Sequence, residues 1–437
     1  MERSRFDEIY MNYGERRYPK ETAESVARCH VPYERKQQAG KEAAVLRKIT
    51  KKNAIADVVD FFNCLKRSYC GYDYFFTDEI CKKVQKTVVN RIKWWPGRIT
   101  NRKLCHILFA ELNKYINDSH FELYTCGMSR FFKKKYFAYV TDIILRKVND
   151  GYEVVKETDG FNKGQLLSGK DVQGLLMPTL YVGDGSNIND AYFLLGVYSL
   201  ETVTELTLCN RKIKVHRILS DSAEQSGEER LIKKDGYCIV NHASYDMPWN
   251  DEALLEEYYQ DGCTCAKSDA VILNLADNGG GCSSYPEKFY MGLCGSGENG
   301  FVGAHLPFPE EIKDEVKKYE YYHPDKNVHA DYEGDLYVVM NKASASSAEM
   351  GISPSFYIKN AICVGSASSG CSTFGNCALF QMSNSKIIFC YGHRLFYHEK
   401  FEEGKGFMPD YWIDDANPIL VVEQYINKKV QANKQSK

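Results

Sequence analysis

The sequence predicts an α/β fold in which a layered core follows an N-terminal helical bundle and an inserted β-rich domain. Three observations support this prediction: helical periodicity from Asn53 to Ile116, β-branched and aromatic runs from Tyr136 to Ile218, and strands alternating with helices after Tyr237. We therefore divide the 437 residues into four segments. These are a charged N-terminal extension (1–50), a helical bundle (51–128), a β-rich inserted domain (129–225) and an α/β core (226–437).

The composition is that of a globular protein with little net charge. Hydrophobic residues make up 44% of the chain, and 56 basic residues nearly balance 58 acidic ones. Such a surface does not attract nucleic acid or an anionic membrane, so we expect neither partner. The chain shows no secretory signal and no apolar run of about 18 residues, which predicts a cytoplasmic protein without a membrane span. The oligomeric state stays open.

Cysteine is abundant, with sixteen residues, but its spacing suits no metal site. The closest pair, Cys263-Thr264-Cys265, is too short for a zinc knuckle. We therefore expect reduced thiols, no metal and no cofactor.

Two helices of the bundle begin at threonines that suit N-cap positions. Thr77 precedes one helix, and Thr100 precedes another whose leucine and isoleucine side chains recur every four residues. We expect the second helix to end at Asn117-Asp118. Ser119-His120 follows directly, at the start of a predicted strand. The histidine at this boundary is either a surface or packing residue or a reactive one.

The inserted domain begins with a predicted hairpin. Its turn is Asn149-Asp150-Gly151, between a strand at Tyr136 to Leu145 and a return strand at Tyr152 to Val155. Polar residues from Ser220 to Glu229 predict the linker into the core. The insert shows no clear carboxylate-binding loop, so its ligand stays open.

The core is predicted from short apolar runs separated by helices and turns. Its strands are Tyr237–Val240, Val271–Leu275, Leu336–Met340, Ala361–Gly365, Cys377–Met382 and Lys386–Tyr391, and a helix from Pro418 to Val430 ends the fold.

The strand Leu336–Met340 leads into three serines and a glutamate, a pattern of strand, tight loop and helix start. Ser346 and Glu349 form a Ser-x-x-Glu pattern, in which the serine caps the helix and the glutamate reaches back. The alternative is that Ser346 is a nucleophile beside unpaired N–H groups at the positive end of the helix. Pro354 predicts that this helix is short or kinked.

Three stretches together resemble a known family. SASSAE (Ser344 to Glu349) is similar to the Ser-Ala-Ser-Ala-Ser-Glu signature of the C-terminal processing and tricorn-core serine peptidases. VILNLADNGGG (Val271 to Gly281) and GKGFMPD (Gly404 to Asp410) resemble two further family motifs, in the same order. The resemblance implies a ClpP/crotonase-like core, a PDZ-like insert, and hydrolysis of peptides or unfolded protein chain ends.

The resemblance also implies the catalytic residues. It makes Ser346 the nucleophile and His120 the base, because IND-SH looks like the Ser-His pair of the tricorn-like branch. Ser119 would orient the histidine, and Glu403 would complete a Ser-His-Ser-Glu site, with its neighbour Glu402 as the alternative. Since base and nucleophile come from different segments, we expect the site between the bundle and the core.

The oxyanion donors implied are the backbone N–H of Ser347 and that of Gly279 or Gly280, since glycine lets the backbone approach a substrate closely. Asn274 and Ala276 replace the aspartate and arginine that are usual in this loop. These replacements leave open whether the loop is rigid.

A second departure is Cys371, which occupies the position of the lysine used by the serine-lysine branch. We expect this cysteine to be a packing residue, and His242 is the first alternative to His120 as base. With a histidine base the acidic limb of kcat/KM is expected at about pH 6–7. The alternative functions are a catalytically impaired peptidase fold that binds a peptide or apolar ligand, and a non-peptidase hydrolase.

Overall fold

The computed structural model describes residues 2–15, 20–158, 160–222, 229–249, 251–305, 321–322 and 331–435. The chain forms two compact units. The first unit comprises Met1–Lys134, Phe301–His323 and Cys371–Gly404, and the second unit comprises Lys135–Gly300, Pro324–Gly370 and Lys405–Lys437.

The regular elements of the described ranges are numbered in chain order. The helices are α1 (Arg3–Glu15), α2 (Lys20–Cys29), α3 (Lys36–Ala43), α4 (Lys51–Ser68), α5 (Tyr72–Phe75), α6 (Asp78–Lys93), α7 (Asn101–Leu112), α8 (Glu252–Cys265), α9 (Ser284–Cys294), α10 (Ser347–Ile352) and α11 (Pro418–Gln435). In these ranges every helix falls short of the length or apolar character that a membrane crossing requires.

The strands follow the same numbering. They are β1 (Lys48–Ile49), β2 (Ile99–Thr100), β3 (Asp118–Thr125), β4 (Met128–Phe132), β5 (Phe137–Val148), β6 (Gly151–Val154), β7 (Leu166–Leu167), β8 (Leu176–Thr179), β9 (Tyr192–Ser199), β10 (Glu205–Leu208), β11 (Arg211–Lys214), β12 (His216–Arg217), β13 (Leu231–Lys233), β14 (Tyr237–Asn241), β15 (Ala270–Asn274), β16 (Val302–His305), β17 (Tyr321–Tyr322), β18 (Asp335–Met340), β19 (Ala361–Gly365), β20 (Phe374–Gln381), β21 (Ile388–Tyr397) and β22 (Tyr411–Trp412).

The first unit contains helices α1 to α7 and an antiparallel sheet. In its described residues the strand order is β17-β16-β21-β3-β4, with β20 paired to β21. Aromatic side chains join sheet and helices, for example Phe61 of α4 against Phe389 of β21, with ring centroids 4.9 Å apart. Val26 and Cys29 of α2 are buried in the same core, so residues predicted as a charged extension contribute apolar packing.

The second unit is built on one large mixed sheet. In the described residues its order is β13-β14-β15-β18-β19-β22-β8-β9-β5-β6-β7, with β12 paired to β5. The strands from β14 to β8 are parallel, and those from β8 to β7 are antiparallel. Strands in the parallel half are apolar along their length because both faces are covered. Val422 and Ile426 of α11, for instance, pack in one cluster with Ile272 and Val339.

The prediction of a mixed α/β fold is confirmed. Every strand predicted for the core is present, and the last helix runs from Pro418 to Gln435. Two of these strands, predicted at Cys377–Met382 and Lys386–Tyr391, are however β20 and β21 of the antiparallel sheet in the first unit. The predicted insert has its own apolar cluster, yet its strands continue the core sheet through a single backbone pairing, Trp412 with Thr179. The ClpP/crotonase-like layering and the PDZ-like insert stay predictions.

The predicted helix starts are also confirmed. The side chains of Thr77 and Thr100 each accept a hydrogen bond from the N–H three residues later. The helix after Thr100 ends at Leu112, earlier than predicted, and the turn beyond it has the N–H groups of Tyr115 and Ile116 both donating to the Leu112 carbonyl. The predicted linker 220–229 lies partly outside the described residues.

Asp57 on α4 generates a test of how the first unit is held together. Its Oδ1 accepts the N–H of Asn384 at 3.0 Å, and its Oδ2 accepts that of Ser385 at 2.7 Å. We expect Asp57→Ala to lower the free energy of unfolding by about 2–3 kcal/mol, because it leaves buried donors unpaired. Urea denaturation followed by circular dichroism measures this change.

The control is Lys52→Ala on the exposed side of the same helix, which should change the free energy of unfolding by less than about 0.5 kcal/mol. Equal effects of both variants would show that the hydrogen bonds of Asp57 do not stabilise the first unit.

Candidate active site

Ser346 lies between β18 and α10 in an unusual backbone conformation. Its φ is 54° and its ψ is −119°, values that a residue with a side chain rarely adopts and that cost about 1–3 kcal/mol. Its side chain makes no capping hydrogen bond. The Glu349 carboxylate instead accepts the Ser368 hydroxyl at 2.7 Å and the Gly370 N–H at 2.6 Å. The N-cap interpretation of Ser346 is therefore wrong, and its hydroxyl is not used in starting the helix.

The loop before Ser346 is fixed by buried hydrogen bonds. The Ser344 hydroxyl donates to the Leu275 carbonyl at 2.7 Å and accepts the Asn341 N–H at 3.0 Å. The Ala345 N–H donates to the Asn278 carbonyl at 2.9 Å. These bonds join the ends of β15 and β18, and they supply the constraint that a strained residue needs in order to persist.

Gly280 packs directly against Ser346. It has a φ of 95°, and a Cβ added there would lie 2.8 Å from the Ser346 Cβ and 2.9 Å from the Ser347 nitrogen. A Cβ at Gly279 would meet nothing within 4 Å. The glycine loop and the start of α10 are thus brought together, and only glycine fits at Gly280.

The backbone donors beside Ser346 are not equivalent. The Gly280 N–H already donates to Asn278 Oδ1 at 2.9 Å. Ser347 is the first residue of α10, so its N–H has no acceptor within the helix. Among the described residues the Gly279 N–H has no hydrogen bond either. Of the two glycines suggested by the sequence, Gly279 is therefore the one whose N–H is available to a ligand.

The departures at Asn274 and Ala276 do not loosen the glycine loop. Asn274 donates from Nδ2 to Asn241 Oδ1 at 3.0 Å, and its Oδ1 accepts the Ala276 N–H at 3.2 Å. Asn278 donates to the His242 carbonyl at 2.7 Å. Buried side-chain amides with several hydrogen bonds make a loop rigid, so they take the place of the charged pair that the resemblance led us to expect.

His242 supports this loop and is poorly suited to act as a base. Its ring is completely buried beside Tyr258 and Phe289, and its Nδ1 lies 2.8 Å from the Tyr245 hydroxyl. Burial, assisted by the charge of Arg230, lowers the pKa of His242 to about 3. A side chain without access to solvent cannot reach a bound peptide, which disfavours His242 as the alternative base.

Lys342 is equally committed to structure. Its ammonium is buried and donates to the Tyr198 hydroxyl at 2.7 Å, the Ser368 carbonyl at 2.7 Å and the Lys405 carbonyl at 2.8 Å. An ammonium has three protons to donate, and these three acceptors match them. A serine-lysine mechanism through Lys342 would have to break this arrangement.

In the first unit, Ser119 and Glu403 lie together. Glu403 accepts the Ser119 N–H through Oε1 at 3.2 Å and the Thr373 N–H through Oε2 at 3.0 Å. Glu402 is exposed. Of the two glutamates considered from the sequence, Glu403 is the one next to the Ser119-His120 pair.

His120 is held as a neutral imidazole. Burial lowers the pKa of His120 to about 4. The charge of Lys133 also lowers this pKa, whereas a hydrogen bond to the Phe374 backbone raises it. The Nδ1 atom is buried without a hydrogen-bond partner among the described residues. A neutral ring with an unused nitrogen has the lone pair that a general base requires, but this nitrogen must become exposed before it can reach a substrate.

Asp118 is a functional candidate that the sequence reasoning missed. It is completely buried, and it accepts the His120 N–H at 2.7 Å and the Tyr69 hydroxyl at 2.8 Å. Burial raises the pKa of Asp118 to about 7, although the bonds from Tyr69 and His120 oppose the rise. From the sequence, Asn117-Asp118 is predicted only as the end of a helix. The available signal was an aspartate two residues before a histidine, a spacing at which an aspartate side chain bonds the backbone N–H.

The predicted site residues are divided between the two units. The second unit contains Ser346, Ser347, Gly279 and Gly280, and the first unit contains Ser119, His120, Glu403 and the buried Cys371. Their assembly into one site is part of the proposal below.

Comparison with protein-family models and with characterised proteins yields no match. The solved structures that resemble this chain include peptidases of the S41 type. The chain is 14% identical to mature CPAF complexed with lactacystin, covering 88% of this chain and 98% of that chain, with a TM-score of 0.43. It is 12% identical to a photosystem II D1 C-terminal processing protease (83% and 93% covered, TM-score 0.40) and to the tricorn protease (87% and 37% covered, TM-score 0.39). Likenesses this distant assign no role to individual residues.

The two glycines provide a matched test of the packing beside Ser346. We expect Gly280→Ala to lower the free energy of unfolding by more than about 1 kcal/mol, because of its positive φ and the 2.6 Å approach of the added Cβ to the Ala345 carbonyl. Gly279→Ala adds the same methyl group in open space and should cost much less. Thermal and urea unfolding of both variants measures the difference. Similar losses in the two variants would show that the close approach at Gly280 is not present in solution.

Proposed function

We propose that this protein is a serine peptidase that hydrolyses peptides or unfolded chain ends through an acyl-enzyme on Ser346. The observation that carries the proposal is the backbone of Ser346, which is strained, fixed by buried bonds and placed against the glycine loop with its hydroxyl not used as a cap. Nucleophilic serines at sharp strand-to-helix turns have this kind of strained geometry.

In the proposed mechanism the Ser346 hydroxyl attacks the carbonyl carbon of the substrate. His120 removes the hydroxyl proton and returns it to the leaving amine, and a water molecule then hydrolyses the ester with His120 again as base. The N–H groups of Gly279 and Ser347 would stabilise the oxyanion, and such a donor contributes about 3 kcal/mol to lowering the barrier. The imidazole of His120 and the hydroxyl of Ser346 must therefore meet during the reaction.

Glu403 and Asp118 would act through the Ser119-His120 segment. Glu403 holds the Ser119 N–H, and Asp118 holds the His120 N–H. Two carboxylates on successive N–H groups fix the start of β3 and with it the position of the imidazole. We regard both as positioning residues.

One observation favours an alternative function. With its pKa lowered to about 4, His120 is a weak base, and a weak base transfers protons less effectively at neutral pH. A peptidase-fold protein that binds a peptide without cleaving it would have the same backbone geometry around Ser346.

Labelling with a serine-reactive fluorophosphonate distinguishes the two functions. An activated nucleophile at Ser346 should be labelled in the folded protein, and Ser346→Ala should lose the label because the attacking oxygen is gone. Heat-unfolded wild type is the negative control. Cys371→Ser, which alters a packing residue, should keep the label. A folded wild type that stays unlabelled and cleaves no unstructured peptide would leave only the binding function.

The pH dependence of hydrolysis tests the base. His120 must be neutral to accept a proton, and with a pKa of about 4 it stays neutral down to that pH. The acidic limb of kcat/KM should therefore fall near pH 4, below the value of about 6.5 expected for an unperturbed histidine. Steady-state kinetics from pH 3.5 to 8 measures the limb, and circular dichroism at each pH excludes unfolding. A kcat/KM that still rises at pH 8 would point to a lysine base.

Glu403 and Glu402 provide a charge-matched pair. We expect Glu403→Gln to reduce kcat about 10- to 100-fold, because it weakens charge-assisted bonds worth about 1.5–3 kcal/mol. Glu402→Gln removes the same charge from an exposed side chain and should leave kcat nearly unchanged. Peptidase assays of both variants at one pH measure the effect. A larger loss in Glu402→Gln would reverse the assignment.

A further inference from the structure

We infer that Asp142, His216 and Asp414 form a binding site for a divalent transition-metal cation of the zinc class. All three residues lie in the second unit and are far apart in sequence. Asp142 is on β5, His216 begins β12, and Asp414 follows β22. The inference is independent of the proposed peptidase function.

The distances among the three side chains suit a small cation. His216 Nε2 lies 2.9 Å from Asp414 Oδ2, and His216 Nδ1 lies 4.0 Å from Asp142 Oδ1. One ligand atom from each residue lies within 4.8 Å of the other two. Ligand atoms at about 2.0–2.1 Å from a tetrahedral zinc ion are about 3.3 Å apart. The 2.9 Å and 4.0 Å contacts use different ring nitrogens, and a cation binds only one of them, so the three ligand atoms, now within 4.8 Å of one another, would have to move together to reach this spacing.

The cluster has an excess of negative charge. Its two aspartates face one histidine, and among the described residues no lysine or arginine pairs with either carboxylate. Arg217, the nearest cation in sequence, is engaged elsewhere: it pairs with Asp221 at 3.0 Å and lies over the Phe137 ring. A divalent cation would neutralise the two carboxylates.

Backbone pairing and one hydrogen bond fix the positions of these three side chains. His216 pairs with Val140 of β5, and the register between β5 and β9 shifts between Val140 and Ile144. A β-bulge of this kind redirects side chains, and Asp142 lies within the shifted stretch. On the other side, Asp414 Oδ1 accepts the Leu219 N–H at 3.0 Å, which fixes the carboxylate that faces His216.

The donor set selects the class of metal. Imidazole nitrogen combined with carboxylate oxygen suits zinc and its first-row neighbours. Calcium and magnesium prefer sites made only of oxygen, with six or more ligands. Water would complete the coordination, since Asp142 and His216 are partly exposed, at 63% and 37% of their side chains.

A bound cation would brace the segment that leads to the nucleophile loop. The chain from His216 reaches Asp221, whose Oδ1 accepts the Lys342 N–H at 3.2 Å and the Ser366 hydroxyl. The Asn341 amide donates to the Ser220 carbonyl at 3.3 Å in the same segment. Metal binding should therefore raise the free energy of unfolding of the second unit.

Equilibrium dialysis against Zn²⁺ tests the site, after exposed thiols such as Cys209 and Cys377 have been alkylated. The wild type should bind one equivalent of Zn²⁺ more than His216→Ala does. Asp142→Asn should weaken that equivalent at least tenfold, since it removes a charged ligand from an exposed position where folding is not at risk. His106→Ala, which removes an exposed histidine of α7, should bind like the wild type.

The thermal unfolding midpoint gives a second readout. Zn²⁺ should raise the midpoint of the wild type and of His106→Ala, and should raise that of Asp142→Asn and His216→Ala less or not at all. Mg²⁺ and Ca²⁺ should have no such effect. Equal Zn²⁺ binding by wild type, Asp142→Asn and His216→Ala would overturn the inference, because the metal would then be held elsewhere. Equal binding of Mg²⁺ or Ca²⁺ would overturn the assigned class.

Discussion

The candidate site depends on the conformation of Ser346. Its φ of 54° persists because the buried strand β18 fixes one side of the turn, α10 begins at once on the other, and Gly280 occupies the space between. A strained residue needs surroundings that over-determine it. Here those surroundings are short-range bonds between the ends of parallel strands, so the same sheet that gives the second unit its core also holds the serine hydroxyl out of the helix cap.

Much of the fold could be predicted from the sequence, because periodicity and caps are local. The threonine caps of α6 and α7 and the buried strands were predictable in this way. For the candidate site, the sequence indicated Ser346 and the glycine loop through a family resemblance, but it also allowed the capping alternative. The choice between cap and nucleophile depended on the φ of Ser346 and on the partners of the Glu349 carboxylate. That carboxylate bonds Ser368 and Gly370, 19 and 21 residues further along the chain, and a local pattern does not reveal such partners.

Other features depend on burial, which a single sequence does not reveal. From the sequence, the pKa of His120 is expected near that of free imidazole. Desolvation instead lowers the pKa of this ring, and it raises the pKa of Asp118 two residues before it. The Asp142, His216 and Asp414 cluster likewise arises only when β5, β12 and the segment after β22 come together. Long-range contacts of this kind leave no spacing pattern to read.

The parallel and antiparallel halves of the large sheet are joined by one backbone pairing, Trp412 with Thr179. Beyond this pairing the join has a side-chain bond, in which the Thr179 hydroxyl donates to the Trp412 carbonyl at 2.5 Å. In the described residues every other pair of neighbouring strands in this sheet shares at least two pairings. Side chains carry most of the join: Lys342 donates to the Tyr198 hydroxyl of β9 at 2.7 Å, and Trp412 is buried in one apolar cluster with Val140 and Met177. The continuity of the sheet at this point therefore depends on side-chain packing and not on a backbone ladder, so a truncated side chain should weaken it more here than between any two strands with a longer ladder.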